Sequence, residues 1–227
     1  MHLLLIAVIL IAIVVGPGLW VSSVMKRYHI PRNRYPQTGG EAARFLLDAE
    51  GLQNVRTETT NSGDHYDPID KAVRLSPDCF NNSSLTALTI AAHEVGHAIQ
   101  DASGFRPLKF RTRMVRWARP IEKIGAAVMI IAPFSVFVTR APPVGILMFL
   151  SGMATLATGI IVHALTLPTE FDASFGRALP LLRRHSLLRK DDLPRARKLL
   201  TAAALTYVSG ALQSLLNIAR WISILRR

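Results

Sequence analysis

His93-Glu94-Val95-Gly96-His97 sets two imidazoles four residues apart, with a carboxylate beside the first. On a helix, residues i and i+4 share a face, so both rings can reach one cation about 2.0–2.1 Å from each nitrogen. The spacing therefore predicts one zinc ion held by His93 and His97. Glu94 would then face a zinc-activated water and take its proton as the hydroxide attacks a peptide carbonyl. Ala91, Ala92, Val95, Gly96, Ala98 and Ile99 surround the three polar residues. A helix so apolar is buried, and its histidines and glutamate need polar partners there, which a metal supplies. Paired surface histidines on an amphipathic helix would have other neighbours.

A catalytic zinc needs a third protein ligand and an open position. Beyond the helix the candidates are Glu170, Asp172, His163 and His185. His163 lies inside an apolar stretch, where a hydrogen bond to a neighbouring helix is the simpler role. His185 sits among Arg183, Arg184 and Arg189 and reads as a neutral or solvated side chain. Glu170 follows Leu167-Pro168-Thr169 at the end of an apolar hairpin, which returns the chain to the side of His93 and His97. Topology and chemistry together favour Glu170.

Several elements must position these groups. Asn82-Ser83-Ser84 is expected to cap a helix from about Leu85 to Gln100. A second helix is expected around 41–47, with Gly51 as its stop. Val55-Arg56-Thr57-Glu58-Thr59 and Lys71-Ala72-Val73-Arg74-Leu75 read as short strands. Asn61-Ser62-Gly63-Asp64 punctuates the gap between them. The segment Asp64-His65-Tyr66-Asp67-Pro68 reads foremost as a turn fixed by Asp67 and Pro68. The functional alternative puts His65 or Tyr66 on the substrate side, donating to the developing oxyanion.

Composition supplies the setting. The chain has 227 residues, half of them hydrophobic, so membrane spans are the first expectation. Residues 3–24 carry no charge and stop at Lys26-Arg27, long enough for a hydrocarbon core of about 30 Å. They read as a retained anchor, since no basic stretch precedes them as in a cleaved signal. Residues 124–167 form an apolar hairpin broken at Thr139-Arg140-Ala141-Pro142-Pro143, and 199–219 form a fourth span. Lys and Arg outnumber Asp and Glu by 27 to 15, and most of this excess lies in 26–120 and 168–198. By the positive-inside tendency both regions are cytoplasmic. The charge fits anionic lipid, and no nucleic-acid motif is present. The single Cys79 excludes an intramolecular disulfide and a multi-cysteine zinc site.

With these residues in view, the chain resembles the YugP-like neutral zinc metallopeptidases, a family of bacterial membrane proteins. The resemblance rests on Thr38-Gly39-Gly40-Glu41-Ala42-Ala43-Arg44, on Asp64-His65-Tyr66-Asp67-Pro68 with Val73-Arg74-Leu75-Ser76, and on 91–100. It continues through Leu167-Pro168-Thr169-Glu170-Phe171-Asp172-Ala173-Ser174 and 202–208. The Glu170 segment is also similar to the ligand helix of HtpX-type and CAAX prenyl peptidases, whose glutamate completes a gluzincin site. Those enzymes place an aspartate four residues after that glutamate, whereas this chain has Ser174. The resemblance leaves Asp172, or another residue, to replace that supporting aspartate. Arg177, one or two turns on, could order Glu170 or Asp172, although a solvated arginine is the plainer reading.

The expectation is an α+β, mostly helical chain, with a small zincin-like metallopeptidase domain on about four transmembrane helices. Its implied location is the bacterial inner (plasma) membrane, with a cytoplasmic active site. Its partners would be a protein or peptide substrate and the bilayer. Two other readings compete. An intramembrane site-2-type protease buries its motif in a span, but Asn81-Asn82-Ser83-Ser84 and Asp101 bracket this motif too closely. A non-enzymatic zinc-binding scaffold or quality-control adaptor would have no need of Glu94 beside the ligand.

Overall fold

The computed structural model describes the backbone of residues 2–225; the side chains of 1–11, 13, 14 and 213–227, and a few within the long helices, lie outside the described set. Half of the expected anchor at 3–24 and the end of the expected span at 199–219 fall on those side chains.

The chain is mostly helical with one small sheet. Helix α1 (His2–Tyr28) leads into a loop and then α2 (Gly39–Ala49). Thr38 starts α2 with reciprocal capping: its hydroxyl accepts from the Glu41 N–H, and the Glu41 carboxylate accepts from the Thr38 N–H. Gly51 then takes φ +75°, the left-handed conformation that ends a helix cheaply only with glycine.

Strands β1 (Arg56–Thr59), β2 (His65–Asp67) and β3 (Ala72–Leu75) form a sheet in the order β1-β3-β2. β1 runs parallel to β3, and β2 antiparallel to it. The segment read as a turn is thus in its centre a strand, with Tyr66 paired to Val73. The turning is done on either side. Gly63 takes φ +85°, while Asp67 accepts from the backbone N–H groups of Ile69 and Asp70. A three-residue strand is too short to show alternation, which is why its pattern reads as a loop.

After α3 (Pro77–Asn81), Ser84 caps α4 (Leu85–Ala102) through its hydroxyl and the Ala87 N–H. Helix α5 (Arg106–Thr139) starts well before the expected span boundary near 124 and ends at the expected break. There Arg140 adopts φ +50°, and α6 (Pro142–Phe171) begins. The helix does not stop at Leu167: it continues past Pro168 through Phe171, so Glu170 sits on the same helix as the apolar stretch. A π-helical segment, Asp172–Ala178, follows, then α7 (Leu179–Arg184), a 3-10 turn at Lys190–Asp192 and α8 (Leu193–Leu225).

The chain divides into two compact units, one of 1–16, 110–167 and 207–227, the other of 17–109 and 168–206. In the first, Ile130, Phe134, Phe137, Ile146 and Leu147 are all exposed. Arg111 donates to the Tyr207 hydroxyl at 2.7 Å, and the His163 ring lies 6.1 Å from that of Tyr207. Among the described residues, one helical run is long and apolar enough to cross a membrane, Pro143–Arg184.

The second unit holds the core. Leu46 and Leu47 of α2, Val73 and Leu75 of β3, Leu88 of α4, Leu182 of α7 and Leu199 and Leu200 of α8 are all fully buried. Asp192, also fully buried, accepts two bonds from Arg34 at 2.8 Å and one from the Tyr35 hydroxyl at 2.5 Å, tying the loop after α1 to the start of α8.

Candidate active site

Helix α4 runs through the middle of this unit, and His93, Glu94 and His97 are all buried on it. The two histidines, one turn apart, meet edge to face with ring centroids 4.8 Å apart. Glu170, 1% exposed, comes to them from the end of α6. Its Oε2 lies 3.2 Å from His93 Nε2 and 3.5 Å from His97 Nε2.

The approach of the two chain segments depends on Gly96. A Cβ there would lie 2.7 Å from the Ala173 carbonyl oxygen, so only glycine lets α4 close against the segment carrying Glu170. The fourth position of the His-Glu-Val-Gly-His motif thus serves packing, while the first, second and fifth carry the polar groups.

Hydrogen bonds behind the rings decide what the facing nitrogens can do. Gln100 donates through Nε2 to the Thr169 carbonyl and to Asp172 Oδ2, both at 2.8 Å. That fixes its amide, leaving Oε1 to face His97 Nδ1 at 2.9 Å. An amide oxygen only accepts, so Nδ1 of His97 carries the proton, and Nε2 is the nitrogen that can present a lone pair on the side of Glu170. The Ser174 hydroxyl lies 3.1 Å from His93 Nδ1 and can accept in the same way. Two imidazole lone pairs and a carboxylate oxygen then converge, an arrangement that repels itself without a cation between them. Ligand atoms about 2.0–2.1 Å from a tetrahedral ion stand ~3.3 Å apart, close to the two spacings found. The residues present therefore fit zinc, with three donors. Among the described residues, the only group of three or more metal-binding side chains with such spacing is His93, His97 and Glu170.

The π-helical segment organises the supporting residues. Its wider turn pairs the Leu179 N–H with the Ser174 carbonyl and brings residues five apart into line. Arg177 accordingly donates to Asp172 Oδ2 at 2.8 Å, and its guanidinium lies over the Phe105 ring. It is not the solvated arginine of the plainer reading. Gly176 leaves room for the Asp172 carboxylate, which a Cβ would approach to 2.7 Å. Asp172 lies outside the group formed by His93, His97 and Glu170; it accepts from Gln100, which in turn faces His97. Ser174, in the position where the gluzincins carry aspartate, reaches His93 itself. Gln100 and Ser174 are the two site residues that sequence reading missed. Their signal was helical spacing: Gln100 follows His97 by three residues, and Ser174 follows Glu170 by four.

The remaining candidates lie elsewhere. His163 belongs to the other unit. His185 lies 3.7 Å from Glu50 and packs edge-on against Phe45. His65 Nδ1 contacts the Gly63 carbonyl at 2.8 Å. The Tyr66 hydroxyl donates to Asp101, one turn beyond His97, which is also paired with Lys71. Burial, with Asp101 second, holds the Tyr66 phenol well above its ordinary pKa, so it remains a donor. Tyr66 is thereby a brace between β2 and α4.

Comparison with known proteins agrees with this geometry. The chain is 33% identical over 218 residues to the "Putative membrane protease YugP" of Bacillus subtilis (strain 168), covering 90% of this chain and 88% of that one. No solved structure matches it. Residues 3–226 match the family described as "Putative neutral zinc metallopeptidase". From end to end of that match, the chain belongs to this zinc metallopeptidase family.

Proposed function

We propose that the chain is a zinc-dependent peptidase anchored in the bacterial plasma membrane, with one zinc per chain and its site on the cytoplasmic side. The observation that carries this reading is the convergence of His93 Nε2, His97 Nε2 and Glu170 Oε2, with Glu94 buried one residue from the first histidine. His93, His97 and Glu170 hold the ion. When bound, zinc supplies the positive charge that eases loss of a proton from water and polarises the scissile carbonyl. Glu94 accepts the proton of the attacking water at its carboxylate and returns it to the leaving amine, so one water is consumed for each C–N bond broken. Gln100 and Ser174 keep each Nδ1 protonated and each Nε2 directed at the site.

Three observations support the membrane part of the reading. The relative carries "membrane protease" in its name, the run Pro143–Arg184 is long and apolar enough to span, and large apolar side chains face outward in the unit around it. An exposed apolar surface of that kind belongs in lipid. The substrate class is protein or peptide.

The test is cleavage of a loosely folded protein by the detergent-purified, zinc-loaded chain beside Glu94→Gln. Wild type should cleave, and the variant should lose about 10²–10⁴-fold in rate while holding the same zinc. Equal cleavage by both would refute Glu94 as the base; cleavage by neither, with zinc retained, would favour the scaffold.

A further inference from the structure

A groove of about 930 Å³ opens where the segment after Glu170 packs on the start of α8. Phe175, Leu179 and Leu193 give it an apolar floor, and Arg183, Lys190 and Arg197 stand around it. Arg184 also borders it but is engaged with Glu50 at 3.1 Å. Among the described residues, the other three cations form no ion pair, and no carboxylate lines the groove. Arg197 lies over the Phe175 ring at 5.8 Å, which holds its charge above the apolar floor. All three are exposed, so each is open to an anion from outside the chain.

From this arrangement we infer that the groove binds the headgroup of an anionic phospholipid, the phosphodiester between Arg183, Lys190 and Arg197 and the first acyl carbons on Phe175, Leu179 and Leu193. The inference rests on the membrane part of the proposed function. Charge complementarity selects an anion, and the apolar floor selects one carrying a hydrocarbon tail. Continuity favours lipid over peptide: Phe175, Leu179 and Arg183 lie on the helical run, Pro143–Arg184, that contains the stretch apolar enough to cross a membrane. The site also touches the zinc centre through the chain, since Phe175 follows Ser174, whose hydroxyl meets His93.

The experiment is native mass spectrometry of the detergent-purified, full-length chain titrated with phosphatidylglycerol, phosphatidylcholine or inorganic phosphate. The variants are Arg183→Gln/Lys190→Gln/Arg197→Gln, Lys190→Gln alone, and Lys26→Gln/Arg113→Gln/Lys198→Gln as a control of equal charge loss. Wild type and control should each retain one phosphatidylglycerol in preference to phosphatidylcholine. The groove triple variant should bind it on the order of a hundredfold more weakly, and Lys190→Gln about fivefold. Zinc content, measured on each variant, shows that the unit is folded. Equal retention by the triple variant and the control overturns the site. Equal binding of the two lipids also overturns it. Saturation by inorganic phosphate at the same concentration makes it a free-phosphate site and overturns the lipid assignment, as displacement of the lipid by an acidic peptide would. Recovery of the chain in the membrane fraction, scored beforehand, reports the membrane reading independently of any of these results.

Discussion

As a zinc ligand through Nε2, His97 would need a proton on its other nitrogen, which faces the Gln100 amide oxygen. Gln100→Leu should therefore weaken zinc binding by about 10–100-fold with the three ligands intact. Ser174→Ala should act in the same direction through His93. Competition with a chromogenic chelator measures both, and Glu170→Ala should exceed either. Charge at Asp192 is a second residue-scale matter. Burial alone would raise its pKa, but the Tyr35 hydroxyl, Arg34 and Arg195 outweigh burial and hold it below the ordinary carboxylate value. Its stabilisation is thus complete above the unfolded-state value of about 3.9 and lost as pH falls through the lower folded value. Asp192→Asn should cost about 3 kcal/mol at pH 7 and flatten the acid limb of denaturant-measured stability. At the other extreme, burial and then Asp192 push the Tyr35 phenol up to about 12. The unfolded chain loses that proton near pH 10, so stability falls between about pH 10 and 12, and Tyr35→Phe should shrink the fall.

Helix α4 and the π-helical segment after Glu170 form the joint on which the site depends. Their contact at Gly96 and Ala173 leaves no space for a methyl group. Gly96→Ala must push the ligand-bearing segments apart, because backbone stands on the far side of the contact. We expect a loss of about 1–3 kcal/mol of stability. Because Glu170 moves with Ala173, zinc affinity should fall as well, in the same chelator competition. The π-helical register was not legible in the sequence, since Asp172-Ala173-Ser174-Phe175-Gly176 carries no pattern that separates a five-residue turn from a four-residue one. Arg177 beside Asp172 was one of the readings open in the sequence, and the wider turn is what selects it.

At the scale of the whole chain, the metal should act as part of the fold. The proposed ligands come from a helix at 85–102 and from residue 170, so an ion between them would join segments far apart in sequence. Anything that binds only the folded state raises its stability by mass action. Stripping the chain with a chelator should abolish cleavage and lower the thermal midpoint, and stoichiometric zinc should restore both. A midpoint unmoved by chelation would mean that the ion contributes nothing to the joint between the segments.

Much of this was set by local sequence. The i, i+4 histidines, the adjacent glutamate, the capping residues at Thr38 and Ser84 and the break after Thr139 are written in neighbouring positions, where helix periodicity and turn chemistry operate. The short strand at 65–67 was not legible, because its pairing with β3 is a property of two segments and neither shows it alone. The same holds for the polar groups behind the ligands. Gln100 and Ser174 are ordinary helix residues in sequence, and they become partners of His97 and His93 only when α4 meets the segment after Glu170. Sequence thus determined which residues could donate to a metal and which elements would carry them. Tertiary structure decided which nitrogen of each histidine faces the site, because that depends on a hydrogen bond to the opposite side of the ring.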